Sequence, residues 1–267
     1  MLTTTRIEDP TDPRVADYRT LRDPELRKRY EGQHGVFIAE GPNVVIELVT
    51  SDWGVRSVLL DERRVAEFAP VLEVLDDVEV FVADRDVLYE IVAFRLHQGV
   101  VAVGERRAPT DLTSVLATAS RVLVLDAMND HENMGSIFRT ARAFDVDAVL
   151  LGPHSADPLY RRCVRVSMGH VLHVPFGPIG ALPDAYEVVA SAGLRTVALT
   201  PRPDAPLVTD LDPSGRWALV LGAEGPGLSA AAIEAADVHA RIPISADVDS
   251  LNVAVTAAVA LHALTPG

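Results

Sequence analysis

Three stretches of this chain carry residue types at spacings that chemistry can use. In DAMNDHENMGSIFRTARAF (126–144), Asn133 is followed six residues later by Arg139. The first is a neutral hydrogen-bonder; the second is a permanent cation whose planar fork suits phosphate. In LGAEGPGLS (221–229), Gly222, Gly225 and Gly227 surround Glu224. Glycine lets a backbone approach a ligand closely, and an ionised Glu224 only accepts hydrogen bonds. In IPISADVDSLNVAVTAAVAL (242–261), Ser250 and Asn252 flank Leu251, with Ile242 upstream. Each feature also has an ordinary use. Glycines make turns, Glu224 is a solvated turn residue, and Arg139 is an exposed helix arginine. Ser250 is a standard N-cap, which puts Asn252 one turn into the helix that follows. The glycine loop is neither the GxGxxG fingerprint nor a P-loop, since no Gly-Lys-Ser/Thr follows.

All three stretches lie where α/β sheets bind ligands, beyond the carboxyl ends of strands. Apolar runs at 121–127, 148–152, 194–200, 217–222 and 239–244 read as strands. The segments 134–144, 183–192 and 251–264 read as helices. Earlier runs at 36–41, 55–60, 78–83 and 99–104 repeat the alternation. Continuous Val/Leu runs separated by helices predict parallel sheets covered on both faces, hence an α/β protein. The polar stretch ERRAPTDLTS, with Pro109, is the best linker. It gives a first domain over 1–107 (1–13 flexible), a linker over 108–118 and a second domain over 119–267.

Composition narrows the class. The chain has 267 residues, 48% of them hydrophobic, enough for packed cores and unlike a disordered segment. One cysteine, Cys163, excludes a disulfide framework and a Cys-rich zinc site. The histidines form no HExxH pair, so no metal is expected. The longest apolar stretch is too short to span a bilayer and the start lacks a signal-peptide layout, so no membrane partner and a cytoplasmic location are expected. The net charge of −14 argues against bulk attraction to nucleic acid and leaves only local patches for it. One such neighbourhood holds Arg14, Arg19, Arg22, Arg27, Lys28 and Arg29; a second holds Arg139, Arg142, Arg161, Arg162 and Arg165.

The order of the three loops is specific. NMGSIFRTARAF, LGAEGPGLS and IPI…SLNVAVTAAVAL resemble motifs one, two and three of the SpoU (TrmH-type) RNA ribose methyltransferases of the SPOUT superfamily. YRTLRDPELRKRYEGQHGVFIAEG and HQGVVAV resemble, more weakly, the family's ribosomal-protein-like accessory RNA-binding domain. The resemblance implies a parallel-sheet SPOUT domain with a C-terminal trefoil knot, a topology that general chain-threading rules disfavour. It also implies S-adenosylmethionine (AdoMet) as cofactor, ribosomal or transfer RNA as substrate, and a homodimer whose interface adjoins the site. The motif-matched cofactor positions are Leu199, Gly222, Ile242 and Leu251, and a bulky residue at Gly222 is expected to abolish cofactor binding while the fold survives. The motif-matched catalytic positions are Asn133, Arg139, Glu224, Ser250 and Asn252. An arginine is a poor base, so Arg139 is expected to steer phosphate and stabilise developing charge. One departure stands out: where the family often has Asp-Pro just before the motif-one Asn, this chain has Asp130-His131-Glu132. The alternatives carried with this reading are a base methyltransferase of the same superfamily, a catalytically silent RNA-binding protein and a Rossmann-type nucleotide enzyme.

Overall fold

The computed structural model describes residues 3–75, 77–108, 110–245 and 247–265. The chain divides into two compact units, one of residues Met1–Ala108 with Leu159–His173, the other of Pro109–Pro158 with Val174–Gly267.

The first unit opens with β1 (Thr5–Arg6), α1 (Pro24–His34), β2 (Val36–Glu40), α2 (Pro42–Val49) and β3 (Gly54–Asp61). It continues with α3 (Val65–Leu72), β4 (Glu79–Ala83), α4 (Arg85–Val92) and β5 (Val100–Glu105). Aspartates start the helices: Asp23 and Asp84 accept hydrogen bonds from the first free N–H groups of α1 and α4. The sheet order is β1-β4-β3-β5-β2. β1, β4 and β3 run parallel, whereas β5 is antiparallel to both its neighbours. The expected parallel sheet is therefore mixed in this unit. The reason is that Val100–Val103 are fully buried, and an unbroken apolar run reports two covered faces whatever the strand direction. The start of the chain also differs from the flexible segment expected over 1–13. Thr5 and Arg6 pair with Phe81 and Val82, and Ile7 is buried; Met1 and Leu2 lie outside the described residues.

The second unit begins with α5 (Leu112–Thr118), so most of the expected linker over 108–118 is a helix, capped by Asp111; Pro109 lies outside the described residues. It continues with β6 (Arg121–Asp126), α6 (His131–Ala143) and β7 (Ala148–Leu151). The chain then contributes α7 (Arg161–Val166) to the first unit before returning with β8 (Phe176–Pro178), α8 (Tyr186–Ser191), β9 (Arg195–Leu199) and β10 (Trp217–Gly222). It ends with α9 (Ala230–Ala235), β11 (Val238–Ala240) and α10 (Val253–Leu264). All six strands are parallel, in the order β11-β9-β10-β6-β7-β8. Val122, Val124, Val220 and Ala198 from the central strands pack with Val189 and Ala232 from the covering helices into one core.

The segment Leu159–His173 is where a continuous domain from residue 119 meets a difference. It packs with the first unit: Trp53 Nε1 donates to Leu172 O (3.0 Å) and His173 Nε2 lies 2.7 Å from Glu47. Arg161 and Arg165 both reach Glu40. A compact α/β domain with one excursion into its neighbour leaves no trace in hydrophobic periodicity.

Candidate active site

The site is built at the carboxyl ends of β9, β10 and β11. Strand β11 stops at Ala240, short of the run predicted over 239–244. Arg241 N donates to Pro206 O and Val208 N to Arg241 O, which turns the chain off the sheet, and Pro243 has no N–H to continue a ladder. Ile242 and Ile244 are thereby released to line a cavity of about 1100 Å³.

All four cofactor candidates, Leu199, Gly222, Ile242 and Leu251, line this cavity, as do Glu224, Ser250 and Asn252. Gly222 is the last residue of β10, and the loop after it folds back so that Gly227 N donates to Ala223 O (3.0 Å). A Cβ on Gly222 would lie 2.3 Å from Gly227 C and 2.4 Å from Leu228 N. The glycine is thus required by the loop's own backbone, not only by a ligand. A bulky residue there displaces the loop, so it cannot leave the fold untouched while probing the ligand. Gly225 has open space around it, and only its φ of 85° asks for glycine. Gly222→Ala is accordingly expected to cost about 1–3 kcal/mol, the scale of forced overpacking. Gly225→Ala should cost roughly 1–2 kcal/mol, the left-handed backbone penalty alone. Thermal melts of both variants check the order.

Asn252 joins the motifs. It is the N-cap of α10, whereas local propensity favours Ser250 as the cap with Asn252 inside the helix. Its Oδ1 accepts from Ala254 N (2.9 Å) and Val255 N (3.2 Å). That use of the oxygen turns the amide outward, and Nδ2 donates to Asn133 Oδ1 (2.9 Å) and to Glu224 Oε1 (2.7 Å). One amide therefore caps a helix and ties motif one to motif two. Asn133 is itself held in the first turn of α6, 8% exposed. Asp130 caps that helix through the Glu132 and Asn133 N–H groups, so the turn is fixed without the family's usual proline.

Arg139 is not brought to this cluster within one chain. Six residues along α6 place it about 9 Å up the axis from Asn133 and roughly 120° away from it around the helix. Asn133 faces inward, while Arg139 is exposed and makes no hydrogen bond or ion pair with any described residue. Asp126 stands beside the cavity without lining it. It is the Cα partner of Gly222 across β6 and β10, and burial holds its carboxyl above the usual range. Arg202 and Arg241 line the cavity as well and belong to no motif. No helix among the described residues is long and apolar enough to cross a membrane.

A family model described as the SpoU rRNA methylase family matches residues 120–262. The chain belongs to the SpoU rRNA methylase family. An uncharacterized tRNA/rRNA methyltransferase of Mycobacterium tuberculosis is 41% identical over 96% of this chain and 90% of its own length. The 23S rRNA (guanosine(2553)-2′-O)-methyltransferase RlmP of Bacillus subtilis is 28% identical over 97% and 98%. The crystal structure of an AdoMet-bound rRNA methyltransferase from Sinorhizobium meliloti superposes with a TM-score of 0.83 at 26% identity, covering 98% of this chain and 97% of that one. The SpoU methyltransferase AviRb of Streptomyces viridochromogenes, in complex with AdoMet, gives 0.80 at 26% identity over 95% and 98%.

Proposed function

We propose that this chain is an AdoMet-dependent methyltransferase that modifies a ribose 2′-hydroxyl of ribosomal or transfer RNA. The observation that carries the reading is the Asn252 amide, bonded to Asn133 and Glu224 at the edge of a cavity lined by the motif-matched apolar residues. Family membership and the names of RlmP and the AdoMet-bound neighbours support it.

The cavity suits the cofactor's chemistry. Leu199, Ile242 and Leu251 offer apolar surface to a purine, and the turn at Gly225 and Gly227 exposes backbone donors and acceptors. AdoMet, when bound, supplies a methyl group already activated on a sulfonium, so no metal is needed. The chain's own task is alignment of a hydroxyl oxygen with that methyl, which is mainly positioning. Asn133, Ser250 and Asn252 are neutral hydrogen-bonders suited to orienting ribose and the loops. Glu224 anchors the glycine loop to Asn252 and so to α6. Arg139 steers the phosphate and stabilises charge on the attacking oxygen.

Because Arg139 faces away from Asn133, a second copy of the chain completes the site in this reading. The surface supports a homodimer. Helix α10 is apolar nearly all round and packs on α6 by one side, leaving Val255 and Val259 exposed four residues apart on one face. In keeping with the family resemblance, the C-terminal part of the catalytic domain threads through a trefoil knot, and the enzyme works in the cytoplasm. Calorimetry with AdoMet and mapping of methylated positions in ribosomal RNA incubated with enzyme test the reading. Micromolar AdoMet binding and one ribose 2′-O-methyl mark are expected. Methylation on a base, or no AdoMet binding, would sink it.

A further inference from the structure

The first unit holds a separate cavity of about 510 Å³ that methyl transfer does not use. It is walled by Glu40 at the end of β2, the first turn of α2, the loop after α4 and the face of α7. Arg95, Arg161 and Arg165 line it against a single carboxylate, Glu40. In a chain of net charge −14 that local excess of cations is out of keeping with the whole.

Arg161 and Arg165 are held in place, and Arg95 is exposed beside them. Arg161 Nη1 lies 3.2 Å from Glu40 Oε2, and Arg165 Nη1 lies 3.5 Å from Glu40 Oε1. The Arg161 guanidinium also sits over the Phe94 ring, 5.0 Å from its centroid. One carboxylate balances one cation, so the remaining forks keep donors for an outside anion. The start of α2 adds to this, because its N-cap is Gly41, whose lack of a side chain leaves the first N–H groups uncapped. Gly41 has a φ of 100°, and a Cβ there would lie 2.8 Å from Gln98 Oε1, so glycine lets the Gln98 loop close against the helix start. Beside these cations stand Asn43 and Gln98, which are suited to a base and not to a bare phosphate.

Resting on the RNA-modifying reading above, we infer that this cavity binds a phosphodiester and the adjoining unpaired nucleotide of the substrate RNA. Arg95, Arg161 and Arg165 take the phosphate, and the Asn43 and Gln98 side chains take the base beside the Arg161–Phe94 stack. The site takes over the role that sequence suggests for Arg27. That residue is 2% exposed, ion-paired to Glu31 at 2.7 Å and donating to Asp17 O, so it holds α1 to the preceding chain.

The test is the double variant Arg95→Glu/Arg165→Glu, both at exposed positions, assayed against unmodified ribosomal RNA. KM for RNA should rise by about tenfold or more, and log affinity should fall less steeply with log salt, by roughly one in slope for each phosphate the variant no longer holds. AdoMet affinity, measured by calorimetry, should not move. Glu40→Gln removes the competing carboxylate and should hold or strengthen RNA binding, an effect of opposite sign that damage to the fold cannot mimic. An unchanged KM and salt slope in the double variant, or a loss of binding in Glu40→Gln equal to that of the double variant, would overturn the site. Wild-type enzyme that transfers no methyl group to RNA would overturn the functional reading, and this site with it. Methyl transfer by wild type with a double variant indistinguishable from it would overturn the site alone.

Discussion

Asn252→Asp should slow methyl transfer by about 100-fold while leaving α10 properly started. Aspartate caps as well as asparagine, so the Ala254 and Val255 N–H groups keep their acceptor. What disappears is the pair of donors on Nδ2. A carboxylate then faces Glu224 Oε1 and Asn133 Oδ1 across gaps that are 2.7 and 2.9 Å in the wild type, with no proton between them. The Glu224 loop must part from Asn252, and the Asn133 amide must turn over to meet the carboxylate with its Nδ2. Displacement on the scale of 1 Å is enough for about a 100-fold loss of rate. Asn252→Ala removes the cap as well and should be less stable than the Asn252→Asp variant by about 1 kcal/mol, the ordinary worth of an N-cap. Two like-charged carboxylates in contact also raise one pKa of the pair. A proton shared between the introduced carboxylate and Glu224 restores one donor, so residual activity of Asn252→Asp should rise as pH falls. The wild type has no such shared proton to gain. Melting curves of the two variants, beside single-turnover rates across roughly pH 5 to 8, are the measurement. Wild-type rates in Asn252→Asp at neutral pH would show that the links among the three motifs do not matter.

The value of that experiment comes from what periodicity can and cannot reveal. The central strands of the second unit are legible because Val122–Leu125 and Ala218–Val220 are buried on both faces. Ile242 is legible as apolar but reads as part of a strand, because a run interrupted by Pro243 still alternates; only the backbone bond from Arg241 to Pro206 turns it into a cavity wall. Ser250 and Asn252 are both good caps, and which one starts α10 depends on Asn133 and Glu224, which are distant in sequence. Local propensity cannot choose between them. Arg27 sits in a cluster of exposed-looking cations, yet its partner Glu31 lies one turn along the same helix and both are buried. The split of Arg161 and Arg165 from Arg139 and Arg142 into different units follows from the excursion of α7, which no composition shift marks.

Arg139→Ala should leave the fold and AdoMet binding intact and lower the single-turnover rate by roughly 100-fold or more, the scale for losing one preorganised charge-stabilising group. The side chain is exposed and has no described partner, so truncation should change stability by less than about 0.5 kcal/mol. The cavity residues lie in other loops, which is why AdoMet affinity should hold. Saturating cofactor and RNA remove any binding defect from the rate. Arg139→Lys keeps a charge but not the planar fork, and should recover little. An exposed arginine with no role predicts near-normal rates for both variants, and that result would remove Arg139 from the mechanism. Its orientation makes a stricter demand. Arg139 points away from Asn133 on its own helix, and in the proposed reading it serves the cavity of a second copy. Mixed dimers of Arg139→Ala with Asn252→Asp should then regain activity, because one of their two cavities has an intact Asn252 facing an intact Arg139. Activity that stays absent in such mixtures, with dimers present by sedimentation, would place Arg139 in the service of its own chain or of none.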